Sequence, residues 1–213
     1  MTDPVNTKAT TDSLADSVAD RGAVRGTEAN VEVEVETEID VDVDLGVTPS
    51  AAAPAACVAP ALQWHWQTWR ELDVDRLYVL LRLRTQVFVV EQNCVFQDMD
   101  GYDAASEHLC GIAGDGRVLA YARLLPPGLK YPEASIGRVV VDPSQRRSGL
   151  GRALMAQALT GTAQRFPDAI VRLGAQQRLE RFYNDFGFVA EGAPYLEDGI
   201  WHIDMLGRAV KPA

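Results

Sequence analysis

The stretch from Ser135 to Met155 constrains the fold more than any other part of the chain. It reads Ser-Ile-Gly-Arg-Val-Val-Val-Asp, then Pro143, then Ser-Gln-Arg-Arg-Ser-Gly-Leu-Gly-Arg, then Ala-Leu-Met. This is a β-branched strand, a proline turn, a basic loop with glycines two apart, and the start of an amphipathic helix. Such a strand–loop–helix joint directs free backbone N–H groups and the positive end of the helix at one point. Gly149 and Gly151 let a ligand reach the backbone, and Arg146, Arg147 and Arg152 add positive charge. Together they suit a phosphate or pyrophosphate. Taken alone, the glycines could equally do no more than turn the chain, with the arginines solvated. A Walker loop is excluded because no Gly-Lys-Ser/Thr follows, and a dinucleotide fingerprint fails for want of a third glycine.

The elements around this joint follow from periodicity. Trp64 to Trp69 alternates as a first strand, and Asp73 caps a helix carrying Leu77, Leu80, Leu81 and Leu83 at helical spacing. Val87 to Val90 closes that helix, and Glu91–Ser106 is expected to be loop. His108–Ala113 and Val118–Leu125 are strands joined by a Gly114-Asp115-Gly116 turn, and Ser135–Val141 is another. A helix from Gly149 to about Phe166 stops at Pro167-Asp168. Ile170–Ala175 is a strand, Gln176–Asp185 a helix, and Gly187–Val189 and Trp201–Leu206 are strands. The predicted fold class is α/β, with the order β-α-β-β-β-α-β-α-β-β and a mixed central sheet flanked by helices.

Charge divides the chain in two. Of its 30 acids and 20 bases, 12 acids and three bases lie in residues 1–60, leaving 18 and 17 for the rest. Residues 1–60 hold no aromatic residue, and so little apolar surface cannot offset the entropy of ordering a backbone. Val31 to Asp44 alternates at period two, but its second face would be a ladder of like charges. Residues 1–62 are therefore expected to form a disordered acidic tail, with a conditional edge strand as the alternative, and residues 63–213 the folded domain.

The near-neutral body lacks the cationic field that nucleic-acid binding needs. No apolar run is long enough to cross a membrane, and the first residues lack a basic-then-apolar signal. Three cysteines (Cys57, Cys94 and Cys110) form no CxxC pair, which argues for idle thiols, against a disulfide framework or structural zinc, and for a cytoplasmic location.

Arg146-Arg-Ser-Gly149-Leu-Gly151 resembles the R/Q-x-x-G-x-G/A signature of the GNAT superfamily of acyl-CoA-dependent N-acetyltransferases. Ala175-Gln-Gln-Arg-Leu-Glu-Arg-Phe-Tyr-Asn-Asp-Phe-Gly-Phe188 is similar to that superfamily's second segment, a helix ending F-Y-x-x-x-G-F after a strand. Finer features resemble the ElaA-like branch: Leu81 to Cys94, Gln97 to Asp100, Ala120 to Leu125, Ile136 to Val139, Gly174 to Gln176 and Tyr195 to His202. The resemblance covers about residues 64–208.

The resemblance implies the GNAT acyl-CoA N-acyltransferase fold, with acetyl-CoA as co-substrate and no metal. It places the pyrophosphate on residues 146–151 (Arg146, Arg147, Ser148, Gly149, Leu150, Gly151) beside Arg152. The pantetheine arm would pair with Val139, Val140 and Val141, a backbone N–H of Val140 or Val141 would polarise the thioester carbonyl, and Gln176 would touch the arm. Tyr183 would return a proton to the departing thiolate.

The base stays open between Glu91, whose burial would raise its pKa, and His202, with Glu107, His108 or a water relay behind them. Glu91, Asp98, Asp100, Glu197 and Asp198 could form an acidic rim attracting a cationic amine, or a solvated face. The expected activity is direct acetyl transfer to a primary amine of a small molecule or peptide, with a homodimer as the oligomer considered. The alternatives are a CoA-binding sensor without turnover, or a longer-chain acyltransferase akin to the VF-x-x-EQ autoinducer synthases.

Overall fold

The structure, a computed structural model of the chain, describes residues 61–209. Expectations for residues 1–60, Cys57 among them, lie outside the described residues. Leu62, assigned to the tail, is half-buried against the core.

Seven strands form one sheet: β1 (Gln63–Thr68), β2 (Glu107–Ile112), β3 (Val118–Leu125), β4 (Ala134–Val141), β5 (Ile170–Gln176), β6 (Val189–Glu197) and β7 (Ile200–Arg208). Their spatial order is β1-β2-β3-β4-β5-β7-β6. Among the described residues three α-helices cover it: α1 (Val74–Thr85), α2 (Leu150–Arg165) and α3 (Glu180–Asn184). The element order matches the sequence expectation.

Local chemistry sets each element. The Asp73 carboxylate caps α1, accepting from the Arg76 N–H at 2.6 Å. The β2–β3 hairpin turns at Gly114–Gly116, where Gly116 takes φ 86° and the Ala113 N–H bonds the Arg117 carbonyl at 2.9 Å. In the β6–β7 hairpin, Asp198 and Gly199 take φ 49° and 78°, as a two-residue primed turn requires.

Both faces of the sheet are covered. Leu80, Leu83 and Val87 pack with Cys110, Ile112, Tyr121 and Val140 on one face. On the other, Leu150, Leu154, Met155, Ala158 and Leu159 of α2 pack with Leu109, Leu124, Ile136, Leu173 and Met205. With both sides in contact, every residue of β3 is buried, so it reads as a continuous apolar run rather than an alternation.

Three expectations are corrected. Val87–Val90 does not simply end the first helix: residues 86–91 continue it as a wider π-helical turn that includes Glu91, and Asp103–Ala105 is a short 3-10 turn within the predicted loop. Gln176 completes β5, and the helix after it begins as a 3-10 turn over Gln177–Leu179 before becoming α3. The strand expected at Gly187–Val189 instead begins at Val189 and runs to Glu197. An edge strand of the sheet, β6 is exposed along its length, so no burial pattern marks it in the sequence.

The decisive irregularity lies at the centre. β4 and β5 are parallel but pair only through Ala134 with Val171 and Ser135 with Arg172. Beyond that point β4 follows β3 while β5 follows β7, and the sheet opens. A bulge helps part them. Gly137 lies opposite Arg123 and Val140 opposite Tyr121, so Arg138 and Val139 share Ala122, and Arg138 takes a left-handed φ of 51°.

Candidate active site

The opening between β4 and β5 is a cavity of about 520 Å³. Val139, Val140, Val141, Arg146, Gln176 and Tyr183 line one part of it, and Gln92, Cys94, Phe96, Tyr131, Glu197 and His202 another. The Asp142 N–H donates to the Leu119 carbonyl at 2.8 Å. Ala120 and Val141 are therefore a non-hydrogen-bonded pair, and the polar backbone of Val141 faces away from β3, into the gap. By the same alternation, Val140 turns its polar groups to Tyr121. Of these two N–H groups, that of Val141 faces the gap and that of Val140 faces β3.

Just ahead of α2, Arg147 and Gly149 take left-handed φ values of 62° and 90°. The Ser148 hydroxyl donates to the Gln145 carbonyl and accepts from the Leu150 N–H, and the Leu150 side chain anchors the helix in the core. The N–H groups of Arg147, Ser148, Gly149 and Gly151 have no acceptor among the described residues. A Cβ built on Gly149 meets nothing within 4 Å, and one on Gly151 only ordinary contacts at 4.0 Å. Unpaired donors facing open space at a helix N-terminus match an anionic diphosphate.

The flanking arginines differ in availability. Arg146 is committed to Glu91 through two bonds of 2.7 Å. Arg152 pairs with Asp185 and lies 5.9 Å over Phe182. Arg147 is exposed and makes no ion pair among the described residues.

A model of the acetyltransferase (GNAT) domain matches residues 83–207 of the chain. The chain belongs to the GNAT acetyltransferase family. It is 41% identical to Protein ElaA of Escherichia coli over 152 residues, which cover 70% of this chain and 99% of that protein. An acyl-CoA N-acyltransferase structure from Pseudomonas aeruginosa is 43% identical with a TM-score of 0.66, covering 69% of this chain and 99% of that one. A CoA-dependent acyl-homoserine lactone synthase shares the fold at 20% identity and a TM-score of 0.60, over 70% of this chain and 84% of that one.

In this GNAT chain the expected proton-handling residues occupy different settings. Tyr183 on α3 is 7% exposed and lies edge-on to Phe182 and Phe188; its hydroxyl has no hydrogen-bond partner among the described residues, and burial pushes it up to about 12. His202 on β7 is half-buried, stacks on Tyr195, and places Nδ1 2.9 Å from the Ile200 carbonyl. An imidazole nitrogen facing a carbonyl must donate, so in the neutral ring Nε2 keeps its lone pair.

Glu91 departs from expectation. The Arg146 guanidinium hydrogen-bonded to it holds its carboxyl below the usual range, where burial had been expected to raise it. His108 is fully buried and does not line the cavity, its ring bridging the Tyr121 hydroxyl at 2.8 Å and the Asp103 carbonyl at 3.0 Å. Glu107 pairs with Arg165. The Gln176 amide is held by Gln92 and Arg178 at the cavity wall.

The expected acidic rim is also corrected. Asp98 and Asp100 turn inward into a closed ring of six charges in which each arginine bridges two aspartates. Arg84 joins Asp98 to Asp103, Arg123 joins Asp103 to Asp100, and Arg138 joins Asp100 to Asp98. Among the described residues, Glu197 and Asp198 are the cavity carboxylates that have no arginine or lysine partner.

Sequence reasoning missed this ring. Its members come from four distant segments, and the one available signal was an arginine inside each apolar run, Arg84 in α1 and Arg123 in β3. Among the described residues no group of three or more His, Cys, Asp or Glu side chains could hold a metal ion, and no helix is long and apolar enough to cross a membrane.

Proposed function

We propose that the protein transfers an acetyl group from acetyl-CoA directly to a primary amine of a small molecule or peptide, as a member of the ElaA-like branch. The observation that carries this reading is the continuity of one cavity. Val139, Val140, Val141, Arg146, Tyr183 and His202 all line it, and the residues with unpaired N–H groups follow Arg146 directly in the chain. When bound, acetyl-CoA supplies an acyl carbon activated as a thioester. The N–H groups of Arg147, Ser148, Gly149 and Gly151 hold its diphosphate, with Arg147 as the free cation beside them. Val141 N–H donates to the acyl carbonyl and stabilises the negative charge that develops there.

His202 Nε2 takes a proton from the attacking amine, the new C–N bond forms as the C–S bond breaks, and Tyr183 gives its proton to the leaving sulfur. Glu91 serves instead to fix Arg146, and Glu197 and Asp198 draw a cationic amine toward His202. Calorimetric titration with acetyl-CoA, CoA and a longer acyl-CoA tests the reading, followed by thiol release across a panel of primary amines. Micromolar or tighter acetyl-CoA binding with amine-dependent thiol release is expected. A folded protein that binds none of the three overturns it.

A further inference from the structure

Arg138 occupies an unusual backbone position for a side chain of its size. It sits in the β4 bulge at φ 51°, a left-handed conformation that disfavours any residue with a Cβ, while its neighbour is a glycine, Gly137. Its guanidinium accounts for the exception. Nε lies 2.7 Å from Asp98 Oδ1, and Nη2 donates to the Asp98 carbonyl at 3.0 Å and to Asp100 Oδ2 at 3.2 Å. Asp98 and Asp100 are in turn held by Arg84 and Arg123, so Arg138 closes the charged ring.

A buried ion cluster is weak support for stability, because its members lose their hydration. Geometry gives this one a further use. Arg138, Arg123 and Asp100 all line the cavity, and the bulge that Arg138 occupies lies just ahead of Val141.

We propose that Arg138 is a positioning residue: by clamping the bulge to Asp98 and Asp100, it keeps the Val141 N–H aimed into the cavity. The inference rests on the proposed role of Val141 at the acyl carbonyl. Arg138→Gly suits the left-handed backbone, so it removes the clamp without forcing the chain, while Arg138→Lys keeps the charge but loses the forked contact.

With the best amine of the panel, Arg138→Gly is expected to lower kcat at least tenfold, with Arg138→Lys between it and wild type. The acetyl-CoA KM and the calorimetric CoA Kd should stay within twofold, because the α2 loop is untouched. In labelled protein, the difference in the Val141 amide signal between CoA and acetyl-CoA complexes should vanish in Arg138→Gly. Wild-type kcat and an unchanged Val141 signal would overturn the proposal, as would a lowered melting temperature with kcat intact. Should Arg138→Gly not fold, an Arg138→Lys kcat within twofold of wild type overturns it.

A folded wild type that binds no acyl-CoA brings down the proposed function instead. The clamp is then read from amide exchange over residues 137–141 of the free protein: faster in Arg138→Gly upholds it, and unchanged rates overturn it.

Discussion

Tyr183 and His202 line one cavity, and their surroundings fix how each can handle a proton. A buried phenol pushed up to about 12 stays protonated through the neutral range and can only give its proton. An imidazole whose Nδ1 is tied to a carbonyl has Nε2 free to take one. Tyr183→Phe should therefore keep acetyl-CoA affinity within about twofold while kcat falls about 100-fold, the low end for general acid catalysis. Calorimetry and steady-state rates on the same sample check this, and a kcat within a few-fold of wild type removes the tyrosine from the mechanism.

His202→Gln should lower kcat/KM about 100-fold while acetyl-CoA affinity stays unchanged. A kcat/KM within a few-fold of wild type assigns the base elsewhere. That Tyr183 would stand at the cavity was legible because it lies in a dense local motif. Glu91 was misjudged because its pKa depends on Arg146, 55 residues away, and no local pattern shows such a partner.

Helix α2 owes its position to a residue with no side chain. A Cβ on Gly161 would lie 2.4 Å from the Trp66 indole, so the glycine lets β1 and α2 approach closely. The indole is also covered by the Arg165 guanidinium at 4.2 Å and has little room to yield. In a helix interior, alanine normally gains about 1 kcal/mol over glycine. Here the clash should outweigh that gain, and Gly161→Ala should destabilise the protein by about 1–2 kcal/mol, within the usual range for overpacking. Urea unfolding checks the sign, and a stabilised variant would mean the indole moves aside.

At this scale the sequence was most readable. Caps, turns and hydrophobic spacing are local, and nearly every element was placed by them. The full length of β6 was not, because an edge strand exposed throughout carries no alternation to read. The arginine ring was not either, since it is assembled by tertiary contacts alone.

Across the molecule, the buried charges set its response to acid. Burial alone would raise the Asp100 carboxyl, but hydrogen bonding and charge from Arg123, with the charge of Arg138, outweigh it and hold the group well below its usual range. Asp103 is likewise lowered against its burial, by Arg84 and Arg123. Burial also lowers the His108 imidazole.

In each case the unfolded chain binds protons more readily than the folded one, so stability must fall as pH falls. The histidine contribution begins to be lost below about pH 6.5, and the aspartate contribution below about pH 4, where the unfolded chain takes up protons that the folded carboxylates still refuse. Denaturation midpoints from pH 8 to pH 3 should show a shallow decline and then a steep one. A flat profile would show that these groups are not coupled to folding.

The two residue pairs that join β4 to β5 give the molecule a mechanical character. Strands β1 to β4 and strands β5 to β7 are two plates that share a short hinge at Ala134 and Ser135, with bare backbone edges facing each other past it. An extended amide-bearing arm seated between them would act as a rivet, and both plates should stiffen when it is in place. On the proposed function, each cycle would require the rivet to be withdrawn, so thiol release would depend on how readily the two plates part at their two-pair hinge.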